Sequence, residues 1–154
     1  FNPPYERLPE VCRQQSLAFL RVAAMAPRVR FGDVTVEGLG DELYRVDITV
    51  ENHGYLPSYV LSSAQKLAWN EPLYLELAVD GCELAEGPSQ RPLGHLDGWG
   101  RGVGDGTGAL YYPYGRGTTG SAGLSVLVKG AGKLSATIRS CRVGAVEKTI
   151  ELAN

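Results

Sequence analysis

The chain has 154 residues, 44% hydrophobic and 21% charged, with Gly 20 and Pro 9, enough for one compact domain that buries roughly 70% of its unfolded surface without a disulfide or metal staple. A formal charge of -2, with basic residues scattered along the chain, excludes the positive field that nucleic acid requires. No run approaches the ~18 apolar residues of a membrane-spanning helix.

The chain opens on Phe1-Asn2-Pro3-Pro4, an extended segment that looks like a join between elements, with neither an initiator Met nor the apolar core of a signal peptide, which fits a fragment better than a processed mature chain. Leu8 to Ala26 then reads as a helix, because Leu8, Val11, Cys12, Phe19, Val22 and Ala26 repeat mostly at three- and four-residue steps. Pro9 suits its first turn and Pro27 helps to end it. The opposite face, with Arg13, Gln14 and Arg21, is polar, so the helix presents one apolar stripe to the sandwich or to another domain.

From Val29 onward the period becomes alternating. Val29 to Val36 is a strand, and Gly38-Leu39-Gly40-Asp41 connects it to a second strand over Glu42 to Glu51. In the latter, Tyr44, Val46, Ile48 and Val50 share one face while Leu43, Arg45, Asp47 and Thr49 share the other. Asn52 to Pro57 is a turn with an extended exit. Strands are expected over Ser62 to Leu67 and Leu73 to Val79, with Asp80-Gly81 turning the latter as a hairpin into Cys82 to Leu84.

Residues 87–120 hold most of the glycines, together with Trp99, Tyr111, Tyr112 and Tyr114, and read as one long irregular loop, of a length that is usually either functional or partly disordered. Gly123 to Val128, Lys133 to Arg139 and Ala145 to Leu152 then form a closing meander. Short strands with turns every ~10 residues predict a mostly β fold. The expected architecture is an immunoglobulin-like antiparallel β-sandwich over 28–154, preceded by the helical segment 1–27.

Chemical signatures are weak. His53 and His95 open neither an H-x-x-E nor an H-E-x-x-H pattern, so no metal site is expected. Gly115-Arg-Gly117-Thr-Thr-Gly120 matches G-x-G-x-x-G in letters, but Tyr112-Pro113-Tyr114 stands where a parallel strand should precede it and a strand follows it. Gly104-Asp-Gly106-Thr-Gly108 is a single copy of what a calcium-binding repeat stacks many times. No G-x-S-x-G occurs, and Asp97 with Asp105, or Glu83 with Glu86, have the residue types of a glycosidase carboxylate pair, although solvated surface acids are far commoner.

No catalytic residue is assigned, and no cofactor is expected in this chain. Cys12, Cys82 and Cys141 cannot all pair, and read as idle thiols of a reducing compartment, with a Cys82–Cys141 bridge left open. These thiols and the lack of N-x-S/T sites favour a cytoplasmic setting. The aromatics Trp99, Tyr111, Tyr112 and Tyr114 are candidates for packing over the sandwich, for protein contact, or for binding carbohydrate or peptide.

Four features together resemble the C-terminal region of large bacterial zinc carboxypeptidases. They are Asn2-Pro3-Pro4 before a helix, Asn52-x-Gly54-Tyr55-Leu56-Pro57-Ser58, Gly94-His95-Leu96-Asp97-Gly98, and the glycine-punctuated final strands. The resemblance covers nearly the whole chain. It implies a β-sandwich following a carboxypeptidase A-like domain that carries the zinc and the catalytic glutamate, so no residue here inherits those roles. It further implies that the partner is that upstream peptidase domain, stabilised or oriented through the helix face of Leu8, Cys12, Phe19 and Val22.

Overall fold

The computed structural model describes residues 3–100 and 120–152. After one turn of 3-10 helix at Tyr5–Arg7, helix α1 spans Leu8–Ala23. It stops three residues short of the expected end: Met25 and Ala26 close turns onto Val22 and Ala23 as the chain approaches Pro27.

Eight strands follow: β1 (Val29–Gly40), β2 (Leu43–Asn52), β3 (Leu73–Asp80), β4 (Glu83–Leu84), β5 (Gln90–Gly94), β6 (Ser121–Lys129), β7 (Gly132–Ser140) and β8 (Gly144–Leu152). They form two antiparallel four-stranded sheets, ordered β1-β2-β6-β4 and β5-β3-β7-β8. The expected sandwich is therefore present. Its order follows the ABED and CFG sheets of immunoglobulin domains with one further edge strand. The chain visits its two short edges in an unusual sequence, going from β3 to β4 in the opposite sheet before returning to lay β5 beside β3.

Alternation builds the core. Tyr44, Val46, Ile48 and Val50 of β2 all point inward, as their period of two requires. They meet Val126 and Val128 from β6 and, from the facing sheet, Leu73, Leu75, Leu77, Leu134, Ala136, Ile138, Ile150 and Leu152. Fully burying each of these Val, Leu and Ile side chains contributes roughly 1.5–3 kcal/mol. Between β1 and β2 the loop is the two-residue Asp41-Glu42, both at positive φ (52° and 58°), the type I′ geometry that matches strand twist.

Several expectations are corrected. Ser62–Lys66 is a 3-10 helix and not a strand: the segment lacks any β-branched residue, and Ala64 is buried with its carbonyl accepting from the Asn70 side chain at 3.0 Å. Asp80-Gly81 does not make a hairpin. Central β3 is already paired on both sides, by β5 and β7, so Glu83–Leu84 crosses to the free edge of β6.

The interval assigned to the loop contains β5, whose Pro92 is tolerated because the strand lies at an edge. Nor do the last three strands form a meander. β6 and β7 belong to different sheets, and the chain crosses at Gly130-Ala131-Gly132. A Cβ on Gly132 would collide with the Asp80 carbonyl, so the two crossovers pack backbone against backbone. Cys82 sits at this corner and Cys141 beyond the other end of β7; all three cysteines are free, which removes the bridge.

Among the described residues none of the α1 side chains is buried, and Phe19 is 73% exposed. Leu17 and Leu20, which lie off the expected stripe, are exposed as well.

Candidate functional site

One end of the sandwich gathers the chemistry-bearing residues. The ends of β2, β5 and β7 and the starts of β1, β3, β6 and β8 converge there. The two motifs at 52–58 and 94–98, far apart in sequence, interlock at this end.

Asn52 is the hub. It is buried, and its Oδ1 accepts the backbone N–H groups of Arg28 and Gly54, each at 2.9 Å. Its Nδ2 donates to the carbonyls of Leu56 at 2.9 Å and Asp97 at 3.3 Å. All four bonds replace water for groups that burial would otherwise leave unpaired.

Around it, Ser58 N–H donates to the Leu96 carbonyl at 2.8 Å, and Leu96 N–H returns to Ser58 Oγ at 3.0 Å. Tyr59 donates its hydroxyl to Asp97 Oδ1 at 2.5 Å. Backbone bonds from Trp99 to Gly54 and from Gly100 to Tyr55 complete the lock. Two glycines are obligatory for this approach. A Cβ on Gly54 would lie 2.5 Å from the Ala26 oxygen, and one on Gly98 would strike the Tyr55 carbonyl. Val60 stands at φ 65°, a conformation that costs a β-branched residue of order 1–3 kcal/mol.

Ser58, His95 and Asp97 carry the letters of a hydrolytic triad without its geometry. Ser58 is buried, its Oγ accepts Leu96 N–H, and its contact with His95 Nδ1 is 3.3 Å; Asp97 receives Tyr59. In a triad the acid orients the imidazole and the base faces an accessible hydroxyl. Burial, and secondarily the positive charge of Arg142, hold the His95 pKa below its ordinary value, and its ring meets Tyr59 edge-on at 5.7 Å.

His53 is exposed and pairs with Glu51 at 2.8 Å. Glu83 and Glu86 are exposed. Among the described residues no group of three His, Cys, Asp or Glu side chains is placed to hold a metal ion, and no helix is long and apolar enough to cross a membrane.

Of the aromatic candidates, Trp99 is 71% exposed and stands edge-on to Tyr55, with centroids 4.6 Å apart. Tyr111, Tyr112 and Tyr114 lie outside the described residues, as do Asp105 and the glycine runs at 104–108 and 115–119. On the helix, Leu8 is half-buried while Cys12, Phe19 and Val22 are exposed.

The sequence reading missed a second exposed aromatic at this end. Trp69 is 67% exposed, with the Arg142 guanidinium 5.8 Å from its ring centroid. Arg142 Nε donates to Asn70 Oδ1 at 3.0 Å. The available signal was a Trp beside an Asn in a segment free of β-branched residues.

No curated protein matches the chain. A family model does, described as Domain of unknown function (DUF8731), over residues 28–151. That interval is the sandwich without α1, and the chain belongs to this family.

Proposed function

We propose that this DUF8731 member is a non-catalytic accessory module, whose helix α1 packs against a zinc carboxypeptidase domain of the same polypeptide and stabilises or orients it. The observation that carries the reading is the bare apolar face of α1. Phe19 at 73% and Val22 at 60% exposure stand uncovered on that face among the described residues, and exposed apolar surface on one face marks a contact site. The identity of the partner rests on the resemblance carried by Asn52-x-Gly54-Tyr55-Leu56-Pro57-Ser58 and Gly94-His95-Leu96-Asp97-Gly98. These motifs form the lock at one end of the sandwich, which suits a rigid accessory body.

The test begins with the reading frame upstream of Phe1. A peptidase domain with an H-x-x-E zinc motif is expected there; a frame without one overturns the reading. In the two-domain protein, Phe19→Asp with Val22→Asp should expose the junction to limited proteolysis while leaving the sandwich intact. Equal protease resistance in the variant would equally sink the proposed contact.

A second reading is favoured by Trp99. An indole 71% exposed and braced by Tyr55 presents a flat apolar face of the kind that stacks on a sugar or a peptide side chain. Glycan and peptide titrations followed by tryptophan fluorescence decide it, and an unchanged spectrum across both series removes this reading.

A further inference from the structure

The segment 61–70 and the β7–β8 turn meet in an arrangement that the accessory reading does not use. Arg142 is held at both ends. Its backbone N–H and that of Val143 donate to the hydroxyl of Ser140, at 3.4 and 3.2 Å. Its Nε donates to Asn70 Oδ1 at 3.0 Å. Asn70 is itself 2% exposed, and its amide is fixed on the Ala64 carbonyl.

The guanidinium therefore stands in one orientation beside the Trp69 ring, with the four N–H groups of its two terminal nitrogens directed to no acceptor among the described residues. No carboxylate of those residues pairs with it, whereas Arg13, Arg45 and Arg139 each have one. A guanidinium held in this way presents a planar fork that fits a carboxylate through two parallel bonds, and its fixed rotamer removes much of the entropic penalty of forming them. Beside it the same segment exposes apolar side chains: Leu61 at 64%, Leu67 at 42% and Trp69 at 67%.

We propose that Arg142 and Trp69 form a binding site for an acidic peptide segment, the guanidinium taking a side-chain carboxylate and the indole an adjoining apolar side chain. The apolar surroundings select a peptide over a sugar acid, which would call for several hydroxyl partners. The site is separate from the α1 face, so its failure leaves the accessory reading untouched, and the reverse holds as well.

The test is a titration of the whole chain with a blocked tripeptide carrying one glutamate between two phenylalanines, followed by the indole N–H signals of Trp69 and Trp99 in NMR spectra. Saturable binding should move the Trp69 signal and weaken at least about tenfold when glutamine replaces the glutamate, the scale of one charge-assisted bond. Arg142→Gln should weaken binding by the same factor, Arg142→Lys by less, and Trp99→Phe should bind as the parent does.

Equal affinity for the glutamate and glutamine peptides overturns the proposal. So does a response confined to Trp99, or no saturation up to about 10 mM. If Arg142→Gln fails to fold, the comparison of the two peptides on the unaltered chain still decides.

Discussion

The side-chain amide of Asn52 reaches the backbone carbonyl of Asp97, 45 residues further along the chain, at 3.3 Å. This contact and the three others made by the Asn52 side chain join the entry into β1, the exit from β2 and the segment following β5 into one polar joint.

Asn52→Ala is expected to destabilise the domain by about 2–4 kcal/mol, because two N–H groups and two carbonyls lose their partner in a buried to part-buried site. Urea unfolding at pH 7 measures it. A loss below about 0.5 kcal/mol would mean that water replaces the amide without penalty.

Gly98→Ala should cost at least about 2 kcal/mol, since the added methyl meets the Tyr55 carbonyl and no flexible side chain can yield. The same change at Gly123, where an added Cβ meets nothing within 4 Å, should be close to neutral. Thermal midpoints of the two variants, compared side by side, test whether the lock is as tight as described.

His95 supplies a pH dependence whose sign is fixed by burial. Its folded pKa lies below the ordinary 6.5, with burial as the main cause and Arg142 as the second; Ser58 and Tyr59 are the other groups facing it. Well above pH 6.5 the imidazole is neutral in both states. As the pH falls below that value the unfolded chain takes up the proton first, so stability declines until the folded pKa is passed and then levels off. Unfolding midpoints between pH 7 and 5 should fall more steeply for the parent than for His95→Gln, and parallel curves would contradict the assignment.

Glu42→Gly should stabilise by about 0.5–1 kcal/mol. Glu42 holds φ 58° in the β1–β2 loop while exposed, a conformation that glycine adopts without the Cβ penalty and that I′ hairpins favour. Denaturant midpoints provide the check, and a destabilised variant would show that the glutamate side chain makes a compensating contact.

Phe19→Ser in the isolated chain should leave stability within about 0.5 kcal/mol of the parent, as expected for a side chain that is 73% exposed. A large loss would place α1 on the sandwich in solution.

What the sequence made legible follows from which forces act locally. In β2 four inward residues alternate without a break, so period alone located the strand and its buried face. The periodicity of α1 was visible for the same reason, although periodicity names an apolar face and not its occupant; Phe19 remains exposed. The misses share a cause in long-range competition. Asp80-Gly81 carries a strong hairpin signal that loses because β3 has no vacant side, and Gln90–Gly94 carries almost no strand signal yet pairs because β3 offers it a template. At the functional end, the residues of both motifs were noticed as letters, but their union depends on Asn52 spanning 45 positions, which no local pattern encodes. Trp69 and Arg142 are 73 positions apart in the numbering, and only the fold makes them neighbours.

Gly100 and Gly120 are both fastened to the joint around Asn52, the first through its N–H to Tyr55 and the second through its carbonyl to the N–H of Asn52. Whatever chain runs between them begins and ends on the same anchored ground. Both glycines therefore depend on one polar joint, and loosening Asn52 would release together two stretches of chain that lie 20 positions apart in the numbering.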